Sequence, residues 1–291
     1  RKRPLPSTRA EVLDTLAGKG FVRREDGTFT ITNLGALLLA KRLTDFESVA
    51  RKGVRLIVYD GVSKQKVRDG KDITGQKGYA VGFEGLVNYI FDQLPASEEI
   101  AAALRTTTHA YPMKAIRELI GNAIVHQDLT EQGTGITVEI YDDRIEVTNP
   151  GLPILPLDRF IDENQSRNER FADALRQLGI CEERGHGMDA VVTQIELHQL
   201  PPYRCRLGTR HTTVVLSRYK PLKDLSPEER VNAVYQHCVL RFVTNQLTNN
   251  ESIRERFKID KKNSAIASRL LGEAVTANVI RASDPEAANK L

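Results

Sequence analysis

Residues 111–151 read YPMKAIRELIGNAIVHQDLTEQGTGITVEIYDDRIEVTNPG, and this stretch decides the fold. Ile116, Leu119, Ile120, Ala123 and Ile124 recur at i, i+3, i+4, i+7 and i+8, the spacing of a helix with one buried face. A Gly133-Thr134-Gly135 turn follows. Ile136 to Tyr141 and Arg144 to Thr148 then alternate apolar with polar residues around Asp142-Asp143, which predicts a β-hairpin closed by a tight acidic turn. Asn149-Pro150-Gly151 ends the run.

The polar positions of the predicted helix carry the chemistry. Glu118 and Asn122 are four apart and share a face, and His126 continues the line. A carboxylate and an amide stacked in this way can hold a divalent cation and a water together. The same two residues also read as a helix-stabilising Glu and a solvated Asn. His126 reads either as a phosphate ligand or as a satisfied histidine at a helix end. Downstream, residues 183–190 read ERGHGMDA. Gly185 and Gly187 let the backbone approach a ligand, and Met188 to Leu197 predicts a helix opening just behind them. The free N–H groups of a helix start favour a phosphate.

In this order and spacing, YPMKAIRELIGNAIVH, DDRIEVTNPG, SRNER and ERGHGMDAV resemble the GHKL ATP-binding fold shared by gyrase, Hsp90, histidine kinases and MutL. The chain is most similar to the divergent branch of RecG-related helicase C-terminal regions and transcriptional regulators, over about Val54 to Ser217. No Gly-x-x-x-x-Gly-Lys-Ser/Thr string occurs, so the P-loop of motor helicases is absent from the sequence. The resemblance implies an α+β fold, a GHKL (Bergerat-type) α/β sandwich, with ATP and Mg²⁺ as cofactors. It implies Asn122 as the metal ligand, Glu118 as general base, and Gly185, His186 and Gly187 beside the phosphates. Asn149, followed by Gly151, stands where the family has an aspartate that reads the adenine amino group. Arg167 would contact phosphate from a mobile lid, and the Thr213 hydroxyl would reach the base. The family also implies a preceding Schlafen AlbA-like nucleic-acid-binding domain. The chain begins Arg1-Lys2-Arg3 without Met, as a fragment or a processed or trimmed chain would.

At 291 residues the chain has room for two or three domains. Its 40% hydrophobic and 27% charged content is that of a soluble globular protein. A net charge of +4 permits nucleic-acid contact without requiring it. Cys181, Cys205 and Cys238 are too scattered for a disulfide framework or a Cys-x-x-Cys metal site, so a reducing, cytoplasmic setting is expected. No apolar run approaches the ~18 residues of a membrane span. Three units are expected: 1–50, a helical or winged-helix-like connector; 51–220, the ATP-binding domain; and 221–291. Within the second, Ser63 to Gly78 is basic and glycine-rich and reads as an exposed loop.

Beyond the polar linker Pro221 to Pro227 the pattern is a helix over Glu228 to Leu247, then a short helix over Ser252 to Phe257 capped by Asn250. A turn and a helix over Ser264 to Ala277 come next, and a strand over Asn278 to Arg281 closes the run. This is the order of a winged helix-turn-helix. Lys261, Lys262, Asn263, Ser264 and Arg269 fall at or near the exposed start of the second motif helix, where duplex DNA would be met. A three-helix dimerisation module has the same pattern. The expectation is an ATP-binding, slowly hydrolysing DNA-binding regulator whose lid closure controls homo-oligomer formation and DNA contact. The alternative is a degenerate nucleotide-binding interaction scaffold, for instance in phage defence.

Overall fold

The structure is a computed structural model that describes residues 6–101, 104–163, 165–181 and 187–283. It begins with α1 (Arg9–Gly18), whose N-cap Thr8 forms a reciprocal capping box with Glu11. The hairpin β1 (Val22–Glu25) and β2 (Thr28–Ile31) turns at Asp26-Gly27, both at positive φ, as a two-residue hairpin turn demands. In α2 (Asn33–Leu39), Ala36, Leu37 and Leu38 are buried in the main core.

The centre is a six-stranded mixed sheet. Its strands are β3 (Arg55–Tyr59), β4 (Val67–Thr74), β7 (Thr137–Ile140), β8 (Arg144–Pro150), β9 (Arg204–Leu207) and β10 (His211–Ser217), in spatial order β4-β3-β7-β8-β10-β9. Only β3 and β7 run parallel. Between β4 and β7 the chain forms α3 (Tyr79–Gln93), the hairpin strands β5 (Ala96–Ala101) and β6 (Leu104–His109), and α4 (Met113–His126). Between β8 and β9 it forms α5 (Glu169–Gln177) and α6 (Gly187–Leu197).

Alternation decides which side of the sheet is covered. Leu56, Val58, Val138, Ile140, Ile145, Val147 and Leu216 join one core with α3's Phe83 and Ile90, α4's Ile116, Ile120 and Ile124, and α6's Val191 and Ile195. The opposite face combines a small buried cluster of Ile57, Tyr59 and Tyr141 with paired charges. Glu139 and Glu146 are cross-strand partners there, and Lys64 and Arg144 pair with them respectively. The result is a two-layer α/β sandwich, consistent with an ATPase-like domain.

The segment expected to be a loop at Ser63–Gly78 contains β4. It is an edge strand whose charges are spent nearby: Arg55 pairs with Asp72, and Arg68 and Lys66 pair with Asp60. Charge on an edge strand guards against unwanted pairing, so its composition looks loop-like.

The C-terminal unit holds α7 (Pro227–Val243), α8 (Asn250–Phe257) and α9 (Ser264–Thr276), packed around Val234, Ile253, Leu270 and Leu271. The cap of α8 is Asn249, not Asn250; Asn250 Nδ2 instead reaches Ser264 O and Ser268 Oγ on α9. The strand expected at Asn278–Arg281 is not formed, and no strand follows α9 among the described residues. Asn278 takes φ +57°, its N–H reaches Val275 O, and Val279 N–H reaches Ala274 O. This is a left-handed C-cap that folds the chain back onto α9.

Ile120, fully enclosed between sheet and helices, tests the core. Ile120→Ala should lower the unfolding free energy by about 2–5 kcal/mol in urea titration.

Candidate functional site

One face of α4 lies over the inner side of β8 and β10. Leu119, Asn122, Ala123 and His126 repeat along that face at three- and four-residue steps and meet Val147, Asn149, Thr212 and Val214 of the sheet. Gly187 and Met188, the start of α6, close one end. The chain after β8, including Leu152, Ile154, Phe160 and Arg167, closes the front. Together they enclose a cavity of ≈ 100 Å³ with apolar walls and a few amide, imidazole and guanidinium groups.

The contact between α4 and α6 is the tightest feature. A Cβ on residue 187 would stand 2.2 Å from Asn122 Oδ1, so only glycine admits this approach. The Asn122 Nδ2 atom is buried and has no hydrogen-bond partner. A buried amide donor left unpaired carries a desolvation cost of about 1–3 kcal/mol, which a ligand acceptor would remove.

The front wall is anchored at both ends. Gly151, at φ +96°, turns the chain where a side chain would strike Asp128 Cβ at 2.6 Å. Thr212 Oγ1 donates to Gly151 O at 2.8 Å. At the far end Arg167 donates to Asp128 and to Leu152 O, and Asn168 Nδ2 donates to Val125 O and Gln127 O at 3.1 and 2.8 Å. The Ser166-Arg167-Asn168 string therefore caps the last carbonyls of α4 and holds the wall against it. The Thr130 hydroxyl and backbone N–H, with the Arg167 guanidinium, hold the Asp128 carboxyl below the usual range against the opposing effect of burial. Burial, and after it the charge of Arg167, lowers the pKa of His126.

Of the residues expected at the site, Asn122, Asn149, Arg167 and Gly187 line the cavity. Arg167 does so with its guanidinium already engaged. Gly151 sits behind the wall as a turn rather than in the lining. Glu118 is buried one turn before Asn122, close enough to Cys181 for its charge to add to the burial that pushes that thiol up to about 11. It is not part of the lining. Thr213 points to the other face, where its hydroxyl meets Thr148 Oγ1 at 2.8 Å. The hydroxyl on the cavity side belongs to Thr212, the register partner of Asn149. Gly185 and His186 lie outside the described residues. The apolar wall from Leu152 to Phe160 falls in the connector after Gly151, where the resemblance places the lid, and its proline-broken apolar run is the sequence signal for it.

His126 offers a direct check. Its folded-state pKa should lie below ~6.5, and Arg167→Ala should raise it by removing a nearby cation, as read by NMR titration of the imidazole. Because the folded-state pKa is the lowered one, the unfolded chain takes the proton more readily. Stability from this group is complete above the unfolded value and falls as the pH drops below it.

Residues 133–216 match the family described as "Putative ATP-dependent DNA helicase recG C-terminal". No curated protein matches the chain. The DIP2311 protein from Corynebacterium diphtheriae has a similar fold, with a TM-score of 0.56 at 18% identity over 88% of this chain and 52% of that one. The chain thus spans about half the length of that protein. No helix among the described residues is long and apolar enough to cross a membrane. The part of the chain that builds β7, β8, α5, α6, β9 and β10 is thus similar to a RecG-related ATPase-like domain, which suggests nucleotide binding.

Proposed function

We propose that the cavity binds Mg·ATP in the GHKL manner and that the chain is a nucleotide-dependent DNA-binding regulator. The observation that carries the reading is the buried, unpaired amide of Asn122 pressed against the glycine that opens α6. It puts an unsatisfied polar atom beside a helix start in one small apolar chamber, a combination suited to a nucleotide's phosphates and base.

In this reading Asn122 holds the metal and Gly187 lets the α6 backbone approach the phosphates. Gly185 and His186 belong to the same phosphate-side role. Asn149, with Thr212 rather than Thr213 beside it, faces the base between the apolar side chains of α4 and β10. Magnesium, when bound, neutralises phosphate charge and orients the terminal phosphoryl group. Glu118, one turn before Asn122, is assigned the general-base role. A cavity of ≈ 100 Å³ is small beside the ~300–1,000 Å³ of ordinary ligand pockets, so the wall from Leu152 to Arg167 acts as a lid that moves to admit the nucleotide. Opening requires Arg167 to leave Asp128. That step frees its guanidinium for phosphate.

The DNA-binding half rests on α9. Lys261, Lys262, Asn263, Ser264 and Arg269 are all exposed at its start or along its outer side, the position of a helix-turn-helix reader. Lid closure is proposed to govern self-association as well as DNA contact. The scaffold reading keeps one observation in its favour: Arg167 is committed to a protein carboxylate, as in a pocket that has ceased to bind phosphate.

Calorimetric titration with Mg·ATP tests the first half. The wild type should bind, Asn122→Ala should lose at least about tenfold in affinity, and Glu118→Ala should bind but release no phosphate; a wild type that takes up no Mg·ATP overturns the reading. For the second half, Lys261→Ala combined with Lys262→Ala should weaken duplex binding and lower the salt slope by about 2 in a titration series.

A further inference from the structure

Three consecutive residues of α7 reach three separate segments of the ATPase-like unit. Tyr235 Oη donates to Asp158 O at 2.7 Å, and Asp158 lies in the turn at Leu157–Arg159 within the cavity's front wall. His237 Nδ1 stands 2.9 Å from Glu196 Oε1, near the end of α6, whose first residue closes the cavity. Gln236 Nε2 donates to Tyr203 O at 2.8 Å. A single helix thus touches two sides of the cavity, the wall and α6.

The helix is also shared between two cores. Val239 and Leu240 pack against the main core, whereas Val234 belongs to the core of the three-helix unit. A seventeen-residue helix held on two sides moves as a rod rather than bending. From α7 the connection to α9 is direct, through Arg230 and Glu273 at 3.2 Å and through the packed apolar residues.

The junction is polar and incompletely satisfied. Arg256 of α8 is buried, donates to Leu200 O at 2.8 Å and reaches Glu196 only at 3.5 Å. Gln236 Oε1, His237 Nε2 and Arg256 Nε are buried there without a hydrogen-bond partner. A closely packed apolar interface would hold one arrangement rigidly. An interface with unsatisfied polar atoms leaves room for a second arrangement in which they are paired or wetted.

We propose that α7 is the mechanical link between the cavity and the three-helix unit, with Tyr235 reading the front wall through Asp158 and the His237–Glu196–Arg256 cluster reading α6. Movement of the wall alters the seat of α7, and α9 moves with it. Tyr235 is a positioning residue in this scheme; it touches neither the cavity nor the exposed side of α9. The link holds for any occupant of the cavity, and it concerns the nucleotide only insofar as the proposed function does.

Hydrogen exchange on the full chain tests it from both ends. Tyr235→Phe removes one hydroxyl and keeps the ring. Peptides from 152–163 should exchange about fivefold faster, as expected for the loss of one hydrogen bond, and peptides from α9 should accelerate as well. Leu155→Ala, which loosens the wall from the cavity side, should also speed exchange in α9. Combining it with Tyr235→Phe should add little there, because the link is already cut. Acceleration confined to the mutated segments and their direct neighbours would overturn the proposal. A third arm uses Mg·AMPPNP on the wild type and Tyr235→Phe, with binding checked by calorimetry. The exchange change it causes in α9 should fall to less than about half in the variant while affinity is kept; an undiminished change argues against the link. Failure of the wild type to bind the analogue counts against the nucleotide reading alone and leaves the two variants to decide the link.

Discussion

The contact on which the site depends is the seating of Gly187 against the Asn122 amide. It brings the first turn of α6 onto α4 more closely than any side chain at residue 187 would allow. The rest of α6 follows from that approach: Val191, Val192 and Ile195 enter the core beside α4. The chamber beyond the contact is bounded by β8, β10 and the wall between Gly151 and Asn168. Loosening the contact would relieve the orphaned Asn122 donor and lose the packing of two helices. The strain at one amide is therefore held in place by a much larger apolar area, the usual way a functional site keeps an unsatisfied group.

The sheet's outer face explains why the sandwich has two layers. Glu139 and Glu146 face each other across β7 and β8, a pairing that repels unless each charge is met. Lys64 and the Tyr59 hydroxyl meet the first at 2.9 and 3.0 Å, and Arg144 meets the second at 2.6 Å, with Arg206 beside it. Burial first, and then Glu139, pushes the Tyr59 phenol up to about 12, which keeps it a donor at neutral pH. On this face Ile57, Tyr59 and Tyr141 form a small buried cluster, and the two carboxylates are buried beside it with their cations, so the sheet covers the charges with its own side chains rather than with a second helical layer. The alternation of TVEI and RIEV already contained this: apolar side chains toward α4, carboxylates toward the other face.

What was legible in the sequence is what is local. The 3–4 spacing of α4, the Asp142-Asp143 turn between β7 and β8 and the extent of α6 all appear close to where pattern places them. The site is less legible because it is closed by residues far apart in sequence. Arg167 meets Asp128 across 39 residues, and Gly187 meets Asn122 through a glycine whose need is visible only once the helices are packed. Thr212 and Thr213 are adjacent hydroxyls on one strand. Period-two alternation says they face opposite ways, but only the register against Asn149 says which one faces the cavity. At Asn278 a β-favouring Val-Ile pair suggested a strand, and the left-handed cap won because it satisfies the last carbonyls of α9.

The same distinction applies to the boundary near residue 220. The polar linker of Pro221 to Pro227 is a true change of composition, holding a short turn at Leu222–Asp224 and the Ser226–Glu229 capping box of α7. Packing does not respect it. Val239 and Leu240 pack against the main core, and among the described residues the Glu196 carboxylate meets His237 and Arg256, both beyond the linker. Burial lowers the pKa of Arg256, and the charge of Glu196 opposes that shift. Separating the three-helix unit would expose apolar surface and also leave Glu196 half-buried without its partners. A helix that belongs to two cores ties their positions together, so the geometry of α9 is set by the same contacts that set the walls of the cavity.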